Sequence, residues 1–237
     1  MRKSLLKKGA LTMNIIKSLF AAALGMILLC GCGASVPEQT TVPVLGTYED
    51  NPYFDIVDTS VIRSADPFTK EPLTVVIHKL YAKESVDIDT ELTAYDASGT
   101  KLGDSRDFTL PLVQGTYNFL MFPFETVEPV AETKGSYDVC KALERGPEHS
   151  VEMIQWIKED AGLKVAVQQT AGKVGPLARG RFLLYCGDRI TGCARSWFFK
   201  DYLQNSGDTA EILADDWSAY FCEEGQSPDS VEMFLNP

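Results

Sequence analysis

Apolar residues recur two apart in two stretches of the chain. "LTVVIHKLYAKESVDIDTELTAY" (73–95) and "LKVAVQQTAGKVGPLARGRFLLY" (163–185) align without a gap: Leu73 faces Leu163, Val75 faces Val165, Ile77 faces Val167, Leu92 faces Phe182 and Tyr95 faces Tyr185. A spacing of two marks a strand with one buried face, because successive side chains of an extended backbone point to opposite sides. The pattern predicts strands over 73–81, 89–96, 100–110 and 116–122, then over 163–170, 181–186, 189–199 and 230–235. Turns rich in Gly and Asp separate them, "DASG" after Tyr95 and "CGD" after Tyr185, residue types that tolerate the positive φ of tight hairpins. Short strands with regular turns predict an antiparallel sandwich. One segment reads differently. In "GDTAEILADDW" (207–217), Asp208 stands as an N-cap with Glu211 three residues on, before Ile212 and Leu213, which taken alone starts a helix. Its counterpart "GTYNFLMF" is strand-like, and the repeat predicts a strand.

The stretch "SVEM" occurs at Ser150–Met153 and again at Ser230–Met233. A four-letter match is within reach of chance, but its surroundings match too. Cys140 faces Cys222, Pro147 faces Pro228, and an acidic residue follows each proline, Glu148 or Asp229. The same order of landmarks in both halves predicts an internal duplication, with SVEM as the closing strand of each copy. The expected organisation is all-β: two tandem immunoglobulin-like antiparallel β-sandwich units, 52–157 and 158–237, after a signal peptide (1–31) and a flexible tether (32–51).

In the second half the strand "FLLYC" carries Phe182, Leu184 and Tyr185 before its turn; in the first, "LTAYD" carries Tyr95 and Asp96, with Leu92 and Ala94 in the earlier places. These strands resemble the FxLYD domain, an immunoglobulin-like module of bacterial surface proteins named for Phe-x-Leu-Tyr-Asp ahead of a turn. Cys186 replaces the final Asp in the second copy. The resemblance covers about half of each unit. It implies an extracellular sandwich and carries no catalytic residues with it.

The N-terminal part has a different pattern. Residues 1–31 hold Arg2, Lys3, Lys7, Lys8 and Lys17, no acidic residue, and the apolar run "LFAAALGMILL". That run is shorter than the roughly 20 residues a membrane-spanning helix needs, and with its basic flank it reads as a secretory signal. Met13 also begins a complete signal. At its end Leu29-Cys30-Gly31-Cys32 resembles the lipobox of bacterial lipoproteins. The resemblance implies lipidation of Cys32, and two acyl chains on it would anchor the chain stably. "GASVPEQTTVPVLGTYEDNP" follows, too poor in large apolar residues to build a core, and reads as a tether. Removing five basic residues of 22 with the signal leaves 17 against 33 acidic ones, a formal charge of −16. Such a surface repels nucleic acid and anionic headgroups.

Few residues offer chemistry. Cys140, Cys186, Cys193 and Cys222 remain after Cys32, an even number that permits disulfides in an exported chain; Cys186 and Cys193 flank "CGDRITGC" and are the expected pair, reduced thiols being the alternative. No close C-x₂₋₄-C pair points to zinc. His78, on a polar phase of its strand, and His149, beside Glu148, adjoin no nucleophile motif, and G-x-S-x-G, P-loop and H-E-x-x-H are absent, so neither enzyme nor cofactor is expected. Asp87, Asp89 and Glu91 alternate on one strand face, either a weak cation site or a solvated stripe. Aromatic residues in "SWFFKDY" and "DDWSAYF" read as core or as a contact platform. The sequence therefore predicts a lipid-anchored module facing outward from the cytoplasmic membrane. It would bind a protein or envelope polysaccharide or act as a spacer, the alternative being an extracellular enzyme or accessory factor in envelope processing.

Overall fold

The alternation of the first half resolves into six strands: β1 (Phe54–Ala65), β2 (Pro72–Ala82), β3 (Asp87–Tyr95), β4 (Lys101–Pro111), β5 (Tyr117–Phe124) and β6 (Glu132–Cys140). They form two antiparallel sheets, β1-β2-β5 and β4-β3-β6. Strands β1 and β6 lie outside the stretches of regular alternation. In β1 the exposed and buried positions are irregular, with a bulge between Ile56 and Asp58. In β6 polar residues dominate. The computed structural model describes residues 48, 51–140, 149–159, 162–172, 174, 179–197, 203–214 and 219–236. The signal segment, Cys32 and the tether as far as residue 47 lie outside the described residues.

The second half gives β7 (His149–Glu159), β8 (Gly162–Gly172), β9 (Arg179–Cys186), β10 (Arg189–Trp197), β11 (Thr209–Ala214), β12 (Tyr220–Cys222) and β13 (Ser230–Asn236). Its sheets are β11-β8-β7 and β12-β10-β9-β13. The pairing scheme repeats that of the first half: first with second and second with fifth in one sheet, third with fourth and sixth in the other. Among the described strands only β12 has no counterpart. The ambiguous segment at 207–217 forms strand β11, paired with β8 from Thr209↔Gln168 to Ala214↔Leu163. Alternate residues Ala210, Ile212 and Ala214 point into the core, where a helix could not place all three on the sheet.

Two parts of the predicted repeat are corrected. The first SVEM lies in β7, which pairs along its length with β8, so it belongs to the opening strand of the second sandwich. The second lies in β13, which pairs with β9 and closes that sandwich. The boundary expected near Ile157 falls inside β7, and Cys140 ends β6 while Cys222 lies in the unmatched β12. The gapless alignment of 73–81 with 163–171 is also one residue out of phase. Leu73, Val75 and Ile77 point away from the first sandwich's own core, whereas Leu163, Val165 and Val167 point into theirs. With a side-chain period of two, a shift of one exchanges the faces.

That exchange is possible because β2 is buried on both sides. Val76 and Leu80 join Phe54, Ile88, Leu92, Leu120 and Phe122 in the core of the first sandwich. Leu73, Val75 and Ile77, with Ile62, Phe119 and Met121, pack instead against Leu183, Ile190, Cys193, Phe221 and Phe234 of the second. A third core, around Val165, Val167, Phe182, Leu184 and Ile212, fills the second sandwich. The layers therefore stack four deep, β4-β3-β6, β1-β2-β5, β12-β10-β9-β13, β11-β8-β7, with three apolar interlayers. Continuous runs such as "TVVI", "FLMF" and "FLL" belong to the two inner sheets, as burial on both faces requires.

The first sandwich reaches further upstream than the composition of 32–51 predicts. Tyr48 and Asn51 are both buried. The Asn51 side chain accepts from the Tyr53 and Phe54 backbone N–H groups and donates to the Tyr48 carbonyl, fixing the entry of the chain. The Tyr48 ring packs edge-on to Phe54 and lies over Gly135, where a Cβ would stand 2.2 Å from the ring. Only glycine at 135 leaves room for it.

Candidate binding cleft

The structure disperses most of the residues singled out from sequence. All four described cysteines are free. Cys186 pairs with Arg189 at the turn and Cys193 with Leu183, so they are three residues out of register, about 10 Å along the ribbon at ~3.3 Å per residue. Disulfides need Cα atoms within about 7 Å. Cys186 is exposed, while Cys193 is buried against the Met121 sulfur, 3.8 Å away, where burial pushes its thiol pKa up.

The acidic stripe is likewise engaged. Asp87 is buried; Asp89 accepts from the Thr109 N–H at 2.6 Å; Glu91 pairs with Arg106 at 2.6 Å. Among the described residues no group of three or more His, Cys, Asp or Glu is placed to hold a metal ion. His78 does not lie on a polar face. It is fully buried between the Tyr48 and Phe122 rings, with Nδ1 2.9 Å from the Thr59 hydroxyl. Desolvation lowers its pKa to about 4, so it is neutral and out of reach of a substrate. His149 opens β7. Of the aromatic clusters, Tyr220 packs against the core of the second sandwich and Phe221 enters the seam between the two. Residues 198–202 and 215–218 lie outside the described residues.

A cavity of about 570 Å³ opens where the sandwiches meet. One wall is the β1–β2 connection, with Asp66, Pro67 and Lys70; the other is β12 and its turn, with Tyr220, Cys222 and Glu224; Lys158 of β7 closes a side. Each wall is held by local chemistry. The Asp66 carboxylate accepts from the Phe68 and Thr69 N–H groups at 2.9 and 2.7 Å, and these bonds hold its pKa below the usual carboxylate value. The Lys70 ammonium donates to the Pro67 carbonyl. Opposite, β12 lies close to β10 because residue 192 is glycine: a Cβ there would stand 2.6 Å from the Phe221 carbonyl oxygen. The turn after β12 is fixed by the half-buried Arg189–Glu223 pair at 2.5 Å. It is tied to the first sandwich by Glu224 N–H donating to the Arg63 carbonyl at 3.2 Å.

The cleft is lined by polar and apolar groups alike and carries both signs of charge. Lys158 Nζ donates to the Gln226 carbonyl at 2.6 Å. The Tyr220 hydroxyl is buried beside the Cys222 thiol. Burial raises the pKa of both, and Lys158 only partly offsets this at Cys222. The thiol is therefore protonated at neutral pH and lacks the depressed pKa of a nucleophilic cysteine. The cleft offers hydrogen-bonding and charged groups. Neither a protein-family model nor a curated protein sequence matches this chain.

Two polar clusters, one buried and one partly exposed, span the seam away from the cleft lining. Arg181 of β9 donates to the Asp107 carboxylate at 2.6 Å and to the Phe119 carbonyl at 2.7 Å, and its guanidinium lies 4.6 Å from the Phe119 ring centroid. Lys79 of β2 meets Glu232 at 2.6 Å and the Tyr185 hydroxyl at 3.1 Å, with the Tyr117, Tyr185 and Phe234 rings around its ammonium. Burial works against the Lys79 charge, but its two hydrogen bonds outweigh it and raise its pKa; burial, then Glu232, pushes Tyr185 up to about 12. None of these residues stands out in the sequence. The available signal was a charged residue inside an apolar run: Lys79 in "VVIHKLY" and Arg181 ahead of "FLLY".

Proposed function

We propose that this chain is an exported, lipid-anchored binding module of the bacterial envelope that holds a small polar ligand or a polar segment of a larger one in the cleft between its sandwiches. The observation that carries the reading is that both sandwiches contribute walls to one cleft of ligand-sized volume, and clefts at such junctions are a common place for binding sites. The shared apolar interlayer supports it, since it holds those walls in a fixed relation. Cys32 within "LLCGCG" and the signal-like segment before it support anchoring outside the cytoplasmic membrane. The β9 stretch Phe182-Leu183-Leu184-Tyr185, with its resemblance to the FxLYD strand, supports a surface role. Binding is favoured over catalysis because the described histidine side chain is buried and the cleft thiol is protonated.

Fractionation of cells expressing the full chain and the Cys32→Ser variant tests the anchor. The variant is expected in the soluble fraction; retention with membranes overturns the anchor. For the cleft, envelope polysaccharide and peptide fractions are applied to the soluble chain and to a Lys70→Glu/Lys158→Glu variant. Retention by the first and loss by the second is expected. Equal retention places binding elsewhere, and no retention of either fraction leaves a spacer.

A further inference from the structure

The seam between the sandwiches carries a cluster of guanidinium groups distinct from the cleft. Strand β9 presents Arg179 and Arg181 two residues apart, hence on one face, and β10 sets Arg195 directly opposite Arg181. Direct and diagonal partners on such a ribbon lie within roughly 5–8 Å of one another. Asp107 stands between two of them: its Oδ2 is 2.6 Å from Arg181 Nη2 and its Oδ1 3.6 Å from Arg195 Nη1. The same Oδ2 also accepts from the Met121 N–H at 3.1 Å. Arg181 is buried, and its Nε has no hydrogen-bond partner among the described residues. Arg179 has interactions of its own and adds its charge to the same field. The Arg195 side chain is 39% exposed, so the cluster opens to solvent on that side.

Two guanidinium groups on one carboxylate leave a local cationic excess, held partly out of water on a chain whose formal charge is −11. Like charges brought together in this way raise each other's energy, and an anion relieves it more strongly there than on an open surface. The guanidinium fork suits planar or tetrahedral oxyanions, which it can take in bidentate fashion. We propose that Arg179, Arg181 and Arg195 form a binding site for a small oxyanion, a carboxylate, phosphate or sulfate group. Arg195 makes the contact on the solvent side, and Arg181, fixed by Asp107 and Phe119, lies beneath it. The group is either a free anion or the charged unit of a lipid headgroup; both present the same chemistry.

The test uses the full chain and inorganic sulfate and phosphate as probes, with chloride at equal ionic strength as the control. Thermal unfolding and titration calorimetry are the readouts. Sulfate and phosphate are expected to raise the unfolding midpoint where chloride does not. Arg195→Gln is expected to weaken binding by about tenfold or more, as loss of a charge-assisted hydrogen bond predicts. Arg195→Lys, which keeps the charge and loses the fork, is expected to fall between the two and guards against a folding defect in the first variant. Arg106→Gln, on the outer sheet, is expected to bind as the parent does. Glycerol phosphate against phosphatidylglycerol vesicles separates a soluble source from a headgroup. Equal effects of sulfate and chloride, or unchanged sulfate affinity in both Arg195 variants, overturn the site and show that the chain's own acidic residues neutralise the cluster.

Discussion

Arg181 and Asp107 belong to different sandwiches, yet their side chains meet at 2.6 Å with almost no exposure of either. Asp107 sits on β4 and reaches past the free edge of β5, where it accepts from Met121 N–H while Arg181 donates to the Phe119 carbonyl. The pair thus satisfies backbone groups that no described strand covers, and it ties the layers together at the same point. Removing Asp107 leaves the buried Arg181 charge without its carboxylate, and removing Arg181 leaves the buried Asp107 with only the longer Arg195 contact at 3.6 Å to balance its charge. Asp107→Leu and Arg181→Met are each expected to cost about 3–5 kcal/mol in urea unfolding, and the double variant markedly less than their sum. Additive losses would show that the two charges do not act as a pair.

Gly135 and Tyr48 form a close contact of another kind. A methyl group at 135 would overlap the ring, so Gly135→Ala should destabilise the chain by about 3 kcal/mol through overpacking. In a Tyr48→Ala background the added methyl should be nearly neutral, since the ring is gone. Equal costs in both backgrounds, measured by chemical denaturation, would place the strain in the backbone.

His78 makes stability depend on pH. Its folded pKa is about 4 against about 6.5 when unfolded. Between those values the unfolded chain binds a proton that the folded chain does not, so stability is full above pH ~6.5 and falls as pH falls toward ~4. The loss attributable to this group is about 3 kcal/mol across the window. A His78→Leu variant should show a correspondingly flatter profile between pH 6.5 and 4. Parallel profiles for parent and variant would show that His78 does not stay neutral in the core.

The thiols should report their separate settings. Under native conditions a thiol reagent should modify Cys186 first and leave Cys193 unreacted until unfolding, and reduction should not change the mass of the chain. A mass loss of two hydrogens that reduction reverses would restore a disulfide.

The alternating pattern along the chain reaches as far as the strand period can. Alternation located β2, β3, β4, β5, β8, β9, β10 and β13, and duplication decided β11 against its own helix-like start. It missed β1 and β6, whose exposed faces and polar composition blur the period, and the short β12 (Tyr220–Cys222), which is too short to show one. The SVEM match misplaced the boundary, because the same four residues suit an opening edge strand and a closing one equally well.

What the sequence by itself determined is an all-β chain of repeated antiparallel pairing, because side-chain alternation and turn chemistry are local and survive without neighbours. Tertiary structure alone decided which face of β2 meets which core, since apolar residues on both faces satisfy either phase. It also decided that Asp107 and Arg181, 74 residues apart, would share one buried site, that Cys186 and Cys193 would miss each other, and that a cleft would open beside β12. Those outcomes depend on how two finished sandwiches pack, and packing of that kind brings together residues whose separation along the chain carries no signal.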